Sequence, residues 1–139
     1  MAPLIKWAAT AGKRCYLPRV PQGAAKILSF TEISAATRKI KNRYGILEYI
    51  APRTLRAREL DVLFVPLVGF DKDGARLGMG AGYYDASLAY LKQRRVWRKP
   101  RLFGIGFECQ KREGIPRDAW DVLLDGIFTE ARFYSSPTH

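Results

Sequence analysis

Residues 71–85 read DKDGARLGMGAGYYD, with glycines at positions 74, 78, 80 and 82. Glycine at alternate positions lets a backbone turn sharply and brings its N–H groups close to an anion. A helix starting where such a loop ends adds a favourable dipole, so phosphate is the natural guest. Arg76, just before the alternating glycines, offers a rigid fork of donors suited to phosphate oxygens. Neither common phosphate motif is present. The Lys-Ser/Thr ending of a Walker A loop is missing, and the spacing is G-x-G-x-G where a dinucleotide fingerprint needs G-x-G-x-x-G. The same glycines also serve as plain punctuation of a turn.

Asp85 falls in the first turn of the helix that should follow, where its charge is favourable with no further role. A carboxylate beside a phosphate loop is also what Mg²⁺ needs, because that ion takes one or two carboxylates plus substrate phosphates and keeps several waters. Asp121 or Asp125 could supply a second one, near the start of a predicted strand. Cys15 and Cys109 stand far apart, and the only histidine is the last residue, His139. That inventory excludes a structural zinc site.

These residues need a scaffold. The run DVLFVPLVGF at 61–70 is almost continuously apolar, as expected of a strand buried on both faces, with Pro66 at its end because proline cannot donate to a ladder. Residues 83–95 place Tyr84, Leu88 and Leu91 on one helical face and leave Lys92 and Arg95 on the wet side. Upstream, PLIKWAA reads as a short helix ended by Gly12, then a strand at 13–18 and another at 27–30. Residues 31–42 read as helix or irregular structure, with Glu32 early and Lys39 and Lys41 late. Further strands are expected at 101–107 and 126–130. Alternating strands and helices predict an α/β fold, a three-layer domain whose mostly parallel sheet is flanked by helices in a Rossmann-like arrangement. One domain is expected over 1–134, with a flexible tail at 135–139.

The chain has 139 residues and a net charge of +11, which favours anionic partners. Nucleic acid is one candidate, given the interleaved Tyr44, Tyr90 and Trp97, but no DNA- or RNA-binding motif accompanies them. Trp97, Trp120 and Phe103 read as core or rim aromatics. No apolar run is long enough to cross a bilayer and no secretory leader is evident, so the cytoplasm is the expected compartment.

The stretch GARLGMGAGYYDASL closely resembles the signature of 5-formyltetrahydrofolate cyclo-ligases. The resemblance continues through DVLFVPLVGFDKDG before it and IGFECQKREGIPRDAWDVLLDGIFTE after it. Upstream, GKRCYLPRV and NRYGILE are similar to the family's earlier strand and its Asn-x-x-Gly-Ile-x-Glu stretch, although Asn42 with Gly45 three residues later is also ordinary turn chemistry. Ala81 stands where many members have Gly or Lys, and Tyr49 where Pro often follows.

The resemblance implies conversion of 5-formyltetrahydrofolate to 5,10-methenyltetrahydrofolate, with ATP as co-substrate and Mg²⁺ required. It implies that Arg76, Leu77, Gly78, Met79, Gly80, Ala81, Gly82, Tyr83 and Tyr84 hold ATP. Asp85 and Asp121 would bind Mg²⁺, and Arg76, Tyr83 and Tyr84 would act at the reacting groups. Nucleic acid and membrane are not expected as partners. Members usually carry a further stretch of roughly fifty residues or more before the point where Met1 enters the pattern. That implies an N-terminally truncated domain, self-association through uncovered apolar surface, and an alternative in which the chain binds nucleotide or folate without turnover.

Overall fold

The structure is a computed structural model that describes residues 2–93 and 98–137. Met1, Trp97, the Arg94–Arg95 end of the helix expected over 83–95, and the last two residues of the expected tail lie outside the described residues. Two compact units divide the chain, Met1–Arg56 and Ala57–His139.

In the first unit, helix α1 (Ala2–Thr10) ends in a Schellman turn. The Lys13 N–H donates to the Ala8 carbonyl at 2.9 Å and the Gly12 N–H to Ala9 at 3.0 Å, with Gly12 at φ 74°. This satisfies carbonyls that a helix end would otherwise leave orphaned. None of the α1 residues is fully buried, and Trp7 is 67% exposed. Strand β1 (Tyr16–Arg19) pairs antiparallel with β2 (Ser29–Glu32), and β3 (Arg38–Lys41) pairs antiparallel with β4 (Leu47–Ile50).

The helix or irregular structure expected over 31–42 is therefore corrected. Thr31 and Glu32 finish β2, and Arg38–Lys41 forms the first half of a hairpin. Only Ile40 of that strand is even half-buried, so no apolar alternation marks it. Its pairing rests on the turn: the Asn42 carboxamide oxygen accepts the N–H groups of Tyr44 and Ile46, and Gly45 takes φ 74°.

The second unit holds a mixed four-stranded sheet in the order Phe133–Ser135, Gly126–Phe128, Arg101–Ile105, Val62–Pro66. Strands β5 (Val62–Pro66), β8 (Arg101–Ile105) and β9 (Gly126–Phe128) run parallel, and β10 (Phe133–Ser135) closes the edge antiparallel. Pro66 is the last residue of β5, as its missing N–H requires. One face is sealed: Leu63, Val65, Leu102 and Ile127 are at most 7% exposed. Each such burial contributes roughly 1.5–3 kcal/mol. The other face carries Phe64, Phe103, Phe128 and Phe133, their neighbouring ring centroids 4.5–6.5 Å apart. Phe128 and Phe133 remain 42% and 45% exposed. Phe133 lies over Gly126, where a Cβ would come within 2.4 Å of the ring.

The fold is thus α/β with a mixed sheet and few helices. Helix α2 (Tyr83–Leu88) is shorter than the spacing predicts and continues as a 3-10 turn over Ala89–Gln93. Leu88 and Leu91 are buried as expected, each 1% exposed. Strand β10 has no counterpart in the sequence reading. Ser135 pairs with Gly126, and the Ser136 N–H donates to the Asp125 carbonyl at 3.2 Å. No helix among the described residues is long and apolar enough to cross a membrane.

Candidate active site

A small hairpin sets the glycine loop in place. Strand β6 (Gly69–Phe70) pairs antiparallel with β7 (Arg76–Leu77), and the DKDG turn joins them. Asp71, 2% exposed, organises that turn. Its Oδ1 accepts the N–H groups of Asp73 at 2.9 Å and Ala75 at 3.1 Å, while Oδ2 accepts the N–H of Ile115 at 3.0 Å. One carboxylate thereby closes the turn and ties it to a segment 44 residues away. Gly74 sits at φ 89°, and a Cβ there would stand 2.6 Å from the Leu124 carbonyl oxygen. The hairpin has almost no freedom to drift.

Arg76 emerges from this turn with its side chain only 8% exposed. Its Nη2 donates to Asp85 Oδ1 at 2.8 Å, and its guanidinium lies 6.0 Å from the centroid of the Tyr84 ring. Gly78 makes room for this course, since a Cβ there would meet Arg76 Nη1 at 3.2 Å. Residues 77–82 are all exposed, Met79 by 89%. Gly80 and Gly82 take φ of 83° and 76°, in the left-handed region, and nothing lies within 4 Å of either missing Cβ. The loop is shaped from within and open from without.

The tyrosines differ. Tyr83 is buried at 9% exposure, and its carbonyl accepts Ser87 Oγ at 2.6 Å. Tyr84 is half-buried beside Arg76. Burial pushes its phenol above the usual tyrosine range, and the nearby Arg76 charge opposes that shift.

Asp121 sits in the segment between β8 and β9. Its Oδ2 accepts the Asp118 N–H at 2.8 Å, and the Lys92 ammonium donates to the Ala119 carbonyl, bringing this segment to the end of the 3-10 turn. Asp125, the other sequence candidate, is committed to the sheet: its Oδ2 accepts the Leu102 N–H at 2.7 Å and lies 3.9 Å from Arg101 Nε. The structure thus joins Arg76, Tyr84 and Asp85 directly. Asp121 is held instead within its own segment, by the Asp118 N–H.

The first unit has a recess of its own, about 460 Å³, with Arg14, Tyr16, Glu32 and Thr37 among its walls. Arg14 grips Glu32 there through two bonds of 3.0 and 2.7 Å, and Thr37 Oγ1 is 2.7 Å from Ser34 Oγ.

Comparison with known proteins covers nearly the whole chain. A family model described as the 5-formyltetrahydrofolate cyclo-ligase family matches residues 1–130. The chain belongs to that family. It is 37% identical over 119 residues to the 5-formyltetrahydrofolate cyclo-ligase of Haemophilus influenzae, covering 83% of this chain and 60% of that protein. With the enzyme of the same name from Escherichia coli K12 it shares 36% over 137 residues, covering 95% of this chain and 71% of the relative. The solution structure of Aquifex aeolicus 5,10-methenyltetrahydrofolate synthetase superposes with a TM-score of 0.76 at 31% identity, covering 99% of this chain and 66% of that one. The chain therefore spans roughly 60–70% of the length of these relatives.

Within this cyclo-ligase family member the donor set suits a metal that arrives with its ligand. Among the described residues no group of three or more His, Cys, Asp or Glu is disposed to hold an ion. Asp85, its side chain 37% exposed beside an open loop, matches the one or two carboxylates that Mg²⁺ takes when phosphates complete its shell. Asp71 is the residue that sequence reading passed over. Its signal is the Asp-x-Asp-Gly turn immediately after a buried strand. The Asn-x-x-Gly-Ile-x-Glu stretch has a structural account too. Glu48, 4% exposed, accepts from Asn42 Nδ2 and the Val20 N–H, both at 2.9 Å, pinning the β3–β4 hairpin to the end of β1.

Proposed function

We propose that this chain takes part in the ATP- and Mg²⁺-dependent conversion of 5-formyltetrahydrofolate to 5,10-methenyltetrahydrofolate, with release of ADP and phosphate. The observation that carries this reading is the family match over residues 1–130 together with an exposed glycine loop whose base holds a buried arginine. The formyl oxygen attacks the terminal phosphorus of ATP, and the bond from that phosphorus to ADP breaks. N10 of the folate then attacks the activated formyl carbon, phosphate departs with the C–O electron pair, and N10 loses its proton as the ring closes.

This chemistry asks mainly for positioning and charge neutralisation. Arg76 supplies a cation at the transferring phosphoryl group, and residues 77–82 supply backbone that can lie close against it. Asp85 and Asp121 are the groups that would hold Mg²⁺, which when bound neutralises phosphate charge. Tyr83 and Tyr84 would border nucleotide and folate, Tyr84 with its phenol protonated.

The test is spectrophotometric: appearance of the methenyl product from the 5-formyl substrate with MgATP. Arg76→Ala should lower turnover by about 10²–10³-fold, the usual cost of removing one charge-stabilising donor. Product formation unchanged by that substitution would sink the assignment. A second reading, binding without turnover, is favoured by the chain spanning 60% of the Haemophilus relative. It predicts calorimetric binding of MgATP by this chain, with turnover appearing only in a longer version of the protein.

The same proposal expects three-layered, Rossmann-like packing, with helices over the phenylalanine-bearing face, and a cytoplasmic setting. Without such cover, that face supports self-association of this chain.

A further inference from the structure

The glycine loop leaves the β6–β7 hairpin at its open end, opposite the turn that Asp71 closes. There the Val68 N–H donates to the Leu77 carbonyl at 2.8 Å, which bonds Val68 directly to the residue from which the loop departs. Gln110, in the turn after β8, grips the same point from the other side. Its Nε2 donates to the Val68 carbonyl at 3.1 Å and to the Leu67 carbonyl at 3.4 Å, while its Oε1 accepts the Phe107 N–H at 2.7 Å. The partners are two carbonyls that only accept and one N–H that only donates, and a carboxamide meets both kinds at once. Two glycines clear its place. A Cβ on Gly106 would stand 3.0 Å from Gln110 Oε1 and 2.8 Å from Leu67 Cδ1, and one on Gly69 would stand 3.4 Å from the Gln110 carbonyl oxygen.

Resting on the nucleotide reading above, we infer that Gln110 is a positioning residue for the proposed reaction, fixing through Leu67 and Val68 the point from which the glycine loop departs. Gly80 and Gly82 have open space at their missing Cβ positions, so the course of the loop depends on how its ends are held. Its far end runs into α2, where Asp85 meets Arg76. Its near end is held by Val68, and Val68 by Gln110. A shift of about 1 Å in such a frame can cost about 10²-fold in rate, even when the altered residue lies away from the chemistry. A carboxylate in place of the carboxamide keeps the length and shape and still accepts the Phe107 N–H. Its second oxygen, however, turns an acceptor toward two carbonyl oxygens.

Gln110→Glu in the full chain tests this. MgATP affinity is measured by calorimetry in mildly alkaline and in mildly acid buffer, each time as a ratio to the parent. The charged neighbours of the turn, Glu108, Lys111 and Glu130, are common to both proteins and cancel in that ratio. In alkaline buffer the variant should bind MgATP about tenfold more weakly, the loss expected if the loop holds its binding shape a tenth of the time. In acid the ratio should return toward one, because facing two carbonyls favours the protonated carboxyl, which can donate again. Hydrogen exchange at the Val68 amide should quicken and recover in step, relative to the parent. Gln110→Met, which has no strong donor or acceptor, is a second variant and should lose affinity in both buffers. Urea denaturation shows which variants are folded. An unchanged affinity in alkaline buffer, or a loss in Gln110→Glu of the same size in both buffers, overturns the inference. Lost stability without lost affinity also overturns it, leaving Gln110 a purely structural part. Failure of the parent to bind MgATP removes the nucleotide reading instead, and exchange at Val68 then decides whether Gln110 holds the loop.

Discussion

Two glycines of the loop region look alike in sequence and do different work. Gly82 takes φ 76° with open space where its Cβ would be, whereas Gly74 takes φ 89° with the Leu124 carbonyl oxygen 2.6 Å from that point. Alanine at 82 should therefore cost backbone strain alone, about 1–2 kcal/mol. Alanine at 74 adds a collision that only movement of the main chain can relieve. Urea denaturation should show a small loss for Gly82→Ala and a loss at least twice as large for Gly74→Ala. Equal losses would mean that crowding at 74 is not what selects glycine there. At this scale the sequence shows where a glycine stands, but not whether its smallness or its flexibility is being used.

Elements are held here by single carboxylates more than by long helices. Asp71 accepts three backbone N–H groups, so Asp71→Ala strands three donors in a buried turn. The expected loss is about 3 kcal/mol or more, since each unsatisfied buried donor costs about 1–3 kcal/mol. Urea midpoints measure it, and a loss below about 1 kcal/mol would show that water replaces the carboxylate. At the sheet edge, Glu108 bonds the Tyr134 hydroxyl and Thr129 Oγ1, joining the turn after β8 to β9 and β10. The Tyr134 bond comes first, with Thr129 next, in holding the Glu108 carboxyl below its ordinary value of 4.5. Because the folded-state value is depressed, the stability this adds is fully present above pH 4.5 and is lost as pH falls through the lower folded value. Denaturation curves of the parent and Glu108→Gln should differ at neutral pH and converge in acid. A gap that persists in strong acid would assign the effect to shape instead of charge.

The elements were unevenly legible for physical reasons. Strand β5 announced itself because both of its faces carry apolar residues, and Pro66 marked its end. The β3–β4 hairpin stayed hidden because its first strand, RKIK, faces solvent and owes its pairing to Asn42 and Gly45. Strand β10 stayed hidden because three residues at an edge leave almost no periodic signal. Of the candidate site, the loop and its arginine were readable as chemistry. That Arg76 and Asp85 meet depends on the β6–β7 hairpin returning the chain to the start of α2, which local patterning does not encode.

For the whole molecule, a net charge of +11 opposes association while the phenylalanine face promotes it. Salt screens the first and leaves the second, with a screening length of about 10 Å at 0.1 M falling to about 3 Å at 1 M. Sedimentation should therefore show self-association that rises with ionic strength and is reduced by Phe133→Ser. Association that weakens as salt is added would indicate charged contacts instead. The expectation of a sheet flanked by helices came from strands alternating with helical segments. The burial pattern distinguishes a sealed face from an open one, whereas the alternation in RLFGI shows only that two faces exist.

Met79 gives the open loop one more property. Flanked by glycines and 89% exposed, it sets a thioether at the mouth of the surface that phosphate is proposed to occupy. Peroxide converts such a group to a polar sulfoxide, and methionine sulfoxide reductases restore it. The loop's accessibility thus doubles as a redox liability, and a ligand seated there would also shelter that sulfur from oxidants.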